Sequence, residues 1–174
     1  MITIKLKGFD KTIKDVQKLA TDANKKAKIA LVLFGKNVET QAKRDAPANE
    51  GKLKSSINAV FDNATFTEKI TVGTDYAAYQ EFGTRKFAAA YVGTLPQEWR
   101  TYAATFKGKG GGTFEEFVKS LTEWARKTGH IPVEAAYVTA LKILREGLRP
   151  RKFLYEAVKD NLPKLQSDFN KIFS

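Results

Sequence analysis

IKDVQKLATDANKKAKIALVLFGKNV, residues 13–38, decides the architecture of this chain. Apolar side chains recur at Ile13, Val16, Ala20, Ala23, Ala27, Ala30, Phe34 and Val38, in alternating steps of three and four. That interval returns to one face of an α-helix, so the stretch reads as a helix with a stripe to bury. Asp10 is placed as its N-cap, and Pro47 stops it near Asp45, because the residue before a proline is pushed out of helical geometry. At about 1.5 Å per residue the helix is about 50 Å long, unusual for a small domain. Lys11, Lys14, Lys18, Lys25, Lys28, Lys36 and Lys43 fall on the opposite face, either a solvated surface or a docking stripe. Ile29, Val32 and Leu33 also point to the polar side, and with Phe34 they close an apolar girdle around the helix. Such a ring predicts burial on both sides, with another subunit covering one of them.

Working outward, Met1 to Lys7 alternates like a short strand. After a small-residue turn at Ala46–Gly51, Ile57–Asp62 and Phe66–Gly73 read as a β-hairpin joined by Asn63-Ala-Thr65. Tyr76–Thr84 reads as either a short helix or a further strand, with a strand after a brief turn favoured. Residues 85–112 lack clean periodicity, are punctuated by Phe87, Tyr91, Trp99, Tyr102 and Phe106, and end in Lys107-Gly-Lys-Gly-Gly-Gly112. They are expected to form a long aromatic and Gly-rich loop. Three helices follow. The first has Thr113 as N-cap with Glu116 in a capping box, and a stripe of Phe114, Phe117, Val118, Leu121 and Trp124. The second runs from Pro132 to Arg145 with Gly147 as its stop. The third starts at Pro150 and buries Phe153, Leu154, Ala157, Val158, Leu162 and Leu165, with Pro163 expected to kink or restart it.

The chain has 174 residues, enough for one domain with a subdomain and for a core that needs no metal or disulfide. It has no Cys and one His, which excludes disulfide frameworks, Fe–S clusters, zinc ribbons, thiol catalysis and His-rich metal sites. The longest solidly apolar run, Ile29–Phe34, is far too short to span a bilayer, so a soluble protein made in a cytosol is expected. The formal net charge is +11 and predicts an acidic partner of some kind. The excess is concentrated: residues 1–58 carry 13 basic and 6 acidic side chains, whereas residues 59–107 carry five of each.

The chemistry-bearing motifs fail one by one. Gly108–Thr113 suggests a phosphate loop, but Lys109 precedes the glycines where a Walker loop needs Gly-Lys-Ser/Thr at its end. His130, between two helices, has no His or Cys partner and no adjacent Ser nucleophile. Asp75 and Glu81 form an acid/base pair only if the fold joins them. Thr113–Arg145 resembles a helix-turn-helix, yet Val133-Glu-Ala-Ala-Tyr137 reads no base edges and its carboxylate repels phosphate. Arg149, Arg151 and Lys152 form a basic cluster at the start of the last helix, where positive charge is locally unfavourable and an anionic partner would relieve it. No catalytic residues, metal site or cofactor are expected.

The order of motifs does resemble a known family. The elements are a long Ala-rich helix, then Pro47…Gly51-Lys-Leu53…Ser56-Ile57, a hairpin, Glu81-Phe82-Gly83-Thr84, and Arg149-Pro150-Arg-Lys-Phe153-Leu…Ala157. Together these resemble the head–tail joining (neck or tail-completion) proteins of long-tailed double-stranded DNA phages. Residues 1–84 and 149–174 carry the resemblance and form the expected core domain, with 85–148 an insertion of which 121–147 looks like the helical insertion of some members. The resemblance implies an α+β fold in which the long helix packs on a small antiparallel sheet, with a helical insertion and a C-terminal helix. It implies a virion protein without enzymatic activity, assembled in the host cytoplasm into a homo-oligomeric ring, typically a hexamer, between connector and tail tube. The expected interface residues are Ile29, Val32, Leu33, Phe34, Tyr91, Trp99 and Tyr102. Lys18, Lys25, Lys36, Arg149, Arg151 and Lys152 are the expected contacts to anionic partners, close to packaged DNA. The competing reading is a non-sequence-specific nucleic-acid-binding protein that uses these same basic residues.

Overall fold

In the computed structural model, residues 9–47, 51–74, 76–106 and 113–173 are described, without the side chains of 9–13 and 173. The strand expected at Met1–Lys7, the side chains of Asp10 and Lys11, Asp75 and the Lys107–Gly112 turn lie outside the described residues, and Asp10 is not an N-cap, because it already lies inside the first helix, Phe9–Asp45. The chain is α+β and divides into two compact units, Met1–Gly73 with Phe153–Ser174 and Thr74–Lys152.

The first unit is built on α1, Phe9–Asp45. Its periodic stripe packs through small side chains: Ala27, Ala30, Val38, Ala42 and Ala46 are buried. The short α2, Lys52–Ser55, leads into an antiparallel hairpin of β1, Ile57–Asp62, and β2, Thr67–Val72. In β1 the inward Ile57 and Ala59 are buried while Asn58 and Val60 are exposed, as the two-residue repeat of a strand dictates. The register pairs Ile57 with Val72 and Asp62 with Thr67. Asp62 closes the turn by accepting hydrogen bonds from the Ala64 N–H and the Thr65 hydroxyl, both 2.8 Å. Phe61 and Phe66 meet edge to face at 5.3 Å, and Lys28 of α1 lies over the Phe61 ring while donating to the Asn63 side chain. The hairpin tip is thereby fastened to α1. The C-terminal helix α8, Phe153–Phe173, also packs along α1, where Gln41 bonds Asp160 and Asn161. Phe153, Leu53, Ile57 and Val38 are the largest fully buried side chains, each contributing about 1.5–3 kcal/mol.

The second unit is helical. Tyr76–Thr84 is not a strand but the helix α3, Ala77–Phe82, ended by Gly83. The segment lacks the β-branched residues that favour a pleated surface, and Ala-Ala-Tyr-Gln-Glu propagates a helix readily. The expected loop at 85–106 is instead α4, Arg85–Val92, and α5, Gln97–Ala104. Each spans little more than two turns, so neither repeats its apolar period often enough to stand out. The hairpin of α6, Phe114–Thr128, and α7, Ala136–Glu146, follows. The Thr113–Glu116 capping box is present in both directions. Pro132 precedes a single 3-10 turn, Val133–Ala135, so α7 starts later than expected. Likewise α8 starts at Phe153 rather than Pro150, because Lys152 sits at φ 53, outside right-handed helix space. Pro163 lies inside α8, which continues past it as one helix, and Leu162 is exposed rather than buried.

Candidate functional site

On the first unit, the girdle residues occupy the surface of α1. Ile29 is 58% and Leu33 52% exposed, while Val32 and Phe34 are half-buried. Farther toward the N-terminus, Val16 and Leu19 are exposed too, although Val16 continues the stripe that is buried from Ala27 onward. Lys18 and Lys25 are exposed and make no ion pair among the described residues. Lys36 is committed differently: with Lys43 it clamps Glu39, at 2.8 and 2.5 Å, and the Ala59 N–H adds a third donor. The Lys36 and Lys43 hydrogen bonds outweigh the partial burial and hold the Glu39 carboxyl at about 2. Close by, Glu68 has one buried carboxylate oxygen without a hydrogen bond, and burial pushes its pKa up. Gly35 makes room for it, since a Cβ there would meet the Glu68 carboxyl.

On the second unit, two of the motif segments meet. The Thr84 N–H donates to the Leu148 carbonyl at 2.9 Å, and the Leu148 N–H donates to the Thr84 hydroxyl at 2.7 Å. The Arg151 N–H donates to the Gln80 carbonyl at 2.7 Å. This clasp requires two glycines. Gly83 has φ 73, and a Cβ on it would lie 2.6 Å from the Leu148 oxygen and 2.9 Å from the Pro150 nitrogen. Gly147 has φ 96, and its Cβ would strike the Thr84 carbonyl. Glu81 and Phe82 are buried beside the clasp. Among the other motif residues, Leu53 and Phe153 are buried, Gly51 supplies the left-handed turn before α2, and Pro47 ends the run after α1. The motifs are thus the parts that specify the fold.

Around Phe82 the aromatic residues form a cluster, with Trp99 at 6.3 Å, Tyr102 at 6.2 Å and Phe106 at 6.5 Å between ring centres. Trp99 therefore sits on a helix, half-buried, and Tyr102 is 54% exposed. Tyr91 is buried, with the Lys152 ammonium 4.7 Å from its ring centre. Arg149 stacks its guanidinium over Phe87 at 5.3 Å. The basic cluster read from sequence thus lies in the second unit, before α8, and two of its members rest on aromatic faces. Arg151 has its side chain exposed.

Sequence reasoning missed the groove beside this cluster. It has a volume of about 530 Å³ and is lined by residues between 78 and 106, among them Phe82, Arg85, Ala88, Arg100, Ala103 and Phe106. The signal that could have found it is the small-residue content of 85–106, Ala88 to Ala90 and Ala103-Ala104, had the segment been read as two helices. His130 caps its turn: Nδ1 lies 3.1 Å from the Thr128 carbonyl and the ring packs near Trp124. Among the described residues no group of three or more His, Cys, Asp or Glu is placed to hold a metal ion, and no helix is long and apolar enough to cross a membrane.

Residues 10–83 match the model of a protein family described as "Bacteriophage HK97-gp10, putative tail-component". The matched stretch runs from the start of α1 through the hairpin and α3 to Gly83, and agrees with the resemblance carried by the motifs. No curated protein and no solved structure matches the chain.

Proposed function

From the match of residues 10–83 to a phage tail-component family, we propose that this chain is a structural protein of a tailed-phage virion that joins the head connector to the tail tube. In this reading it acts as a homo-oligomeric ring, a hexamer, at the head–tail junction, without enzymatic activity. Its core is 1–84 with 149–174, and 85–148 is an insertion. The observation that carries the ring is the exposed apolar surface of α1. Ile29 and Leu33 lie among lysines on the face away from the buried alanines, which is costly for a helix that meets only water. A ring needs two different faces of one subunit to match, and α1 offers one of them. Val32 and Phe34 extend this contact on α1, and Tyr91, Trp99 and Tyr102 of the second unit are the other residues proposed for subunit contact.

The basic residues serve this role as surface contacts to acidic neighbours or to nearby packaged DNA. Lys18, Lys25 and Arg151 are free for it, whereas Lys36, Arg149 and Lys152 are engaged within the chain. The engagement of Lys36, Arg149 and Lys152 within the chain disfavours a dedicated nucleic-acid binder. Such a binder would lose orders of magnitude in affinity between low and moderate salt.

Infection with phage lacking this gene tests the proposal. Filled heads and finished tails that fail to join, with joining restored by added protein, are the expected result. Normal attached tails in the knockout would overturn it. Negative-stain images of the purified protein at high concentration test the ring directly, and strictly monomeric protein both alone and in tail-assembly mixtures would refute that part.

A further inference from the structure

The hairpin closes one of its two edges and leaves the other open. In an antiparallel pair, backbone N–H and C=O groups point alternately to the partner strand and away from it. The Ala59 N–H points away from β2, and Glu39 of α1 accepts it at 3.2 Å, so α1 covers the outer edge of β1. Ala59 lies opposite Ile70, and the Gly73 N–H donates to the Ser56 carbonyl, which fixes the alternation on β2. Glu68, Ile70 and Val72 therefore turn their backbone groups outward. None of those groups has a hydrogen bond among the described residues. The Ile70 and Val72 side chains are half-buried, while Thr67, Lys69 and Thr71 are exposed on the other face. Such an edge is a template for one more strand, and its β-branched residues suit a pleated surface.

The sequence holds one further stretch with the strand alternation. In Met1–Lys7, Ile2, Ile4 and Leu6 fall on one side and Thr3, Lys5 and Lys7 on the other. That stretch is too short for the open edge of its own chain. Glu68, at the near end of the edge, packs beside Gly35, where a Cβ would meet its carboxyl. Gly35 lies about 39 Å along α1 from Phe9, at 1.5 Å per residue. The residues from Met1 to Phe9 extend over at most about 29 Å. The β2 edge within reach of Met1–Lys7 is therefore that of another copy.

We propose that Met1–Lys7 of one copy of this chain adds as a third strand to the open β2 edge of a second copy. The added strand runs parallel to β2 with Ile4 beside Ile70. Leu6 then lies beside Val72 on the face toward α1, and Thr3 and Lys5 lie beside Lys69 and Thr71 on the outer face. The opposite direction with the same Ile4–Ile70 pairing sets Lys5 against Lys69, and like charges directly opposite one another are destabilising. In the parallel register the Ile70 N–H donates to the Thr3 carbonyl, and the Lys5 N–H donates to the Ile70 carbonyl. Donor segment and acceptor edge are different surfaces, so the contact is head to tail, the kind that generates rings or filaments. The inference rests on the ring reading above and adds a subunit contact to it.

The chain has no Cys, so introduced ones report alone. Full-length Thr3→Cys is mixed with a size-tagged Lys69→Cys chain and treated with a short thiol-to-thiol cross-linker. A covalent dimer of tagged and untagged chains is expected, in excess over either like-with-like product, and Lys7→Cys in place of Thr3→Cys should give little. Should Lys69→Cys fail to melt cooperatively, Lys5→Cys with Thr71→Cys tests the next pair along the same register. Lys5→Pro in the Thr3→Cys chain deletes the N–H offered to Ile70 and should cut the yield about fivefold, whereas Lys5→Ala should leave it unchanged. If light scattering finds oligomers but the mixed dimer does not exceed the like-with-like products, or Lys5→Pro has no effect, strand addition is wrong and the ring reading stands. A single chain carrying both Thr3→Cys and Lys69→Cys that cross-links within itself would overturn the exchange between copies. Monomeric protein with no trapped dimer would overturn both readings.

Discussion

At the scale of single residues, backbone geometry separates glycines that look equivalent in sequence. Gly51 has φ 72 in open space, whereas Gly83 has φ 73 with carbonyl and proline atoms where a Cβ would go. Gly51→Ala should therefore cost about 1 kcal/mol and Gly83→Ala about 2–4 kcal/mol, measured by denaturant unfolding. Glu39 makes a second test. Its carboxyl is lowered from 4.5 to about 2 by the Lys36 and Lys43 hydrogen bonds, so its contribution is full above the ordinary carboxylate range and lost as pH falls toward 2. Glu39→Gln should remove about 1–3 kcal/mol at neutral pH and flatten the stability profile between those limits. Glu68 has the opposite sign: its raised pKa means the ionised form is disfavoured in the folded chain, so Glu68→Gln should raise the melting temperature at neutral pH. The Gly83 and Glu68 environments were not legible in the sequence, because each depends on which atoms a distant segment brings near, whereas the Glu39 clamp lies in the three- and four-residue spacing of Lys36 and Lys43 along α1.

Among the elements, legibility followed the number of turns. The long α1 repeats its apolar period many times and was readable as a helix, although its start and the exposure of Val16 were not, and α6 was readable with its capping box. The hairpin was readable because Ile57 and Ala59 alternate with outward residues and Asp62 to Thr65 is turn chemistry. The two-turn helices α4 and α5 were not readable, and the groove between them was hidden with them. Pro163 is the instructive case. In isolation a proline interrupts a helix by removing one amide donor and crowding the preceding turn, yet α8 continues through it. Packing along α1 supplies what local propensity withholds, so Pro163→Ala should stabilise the chain by about 1–2 kcal/mol in thermal unfolding.

For the molecule as a whole, the question is where its exposed apolar surface goes. Leu33 is half in water, so Leu33→Asp should change unfolding stability by less than about 0.5 kcal/mol while lowering the mass found by light scattering at high concentration. Equal loss of fold and assembly would mark Leu33 as ordinary core.

The sequence by itself determined the helical and hairpin elements with long or regular periods, the concentration of charge near the N-terminus, and the order of motifs that resembles phage head–tail proteins. Those are local or one-dimensional properties, written in spacing and composition. Only the tertiary structure decided that the motifs are packing and clasp residues, that a Cβ on Gly83 or Gly147 would strike the backbone across the clasp, and that residues 78–106 line a groove. The reason is physical: a clasp such as Thr84 with Leu148 joins atoms 64 residues apart, and no local preference records which distant carbonyl will receive a given N–H.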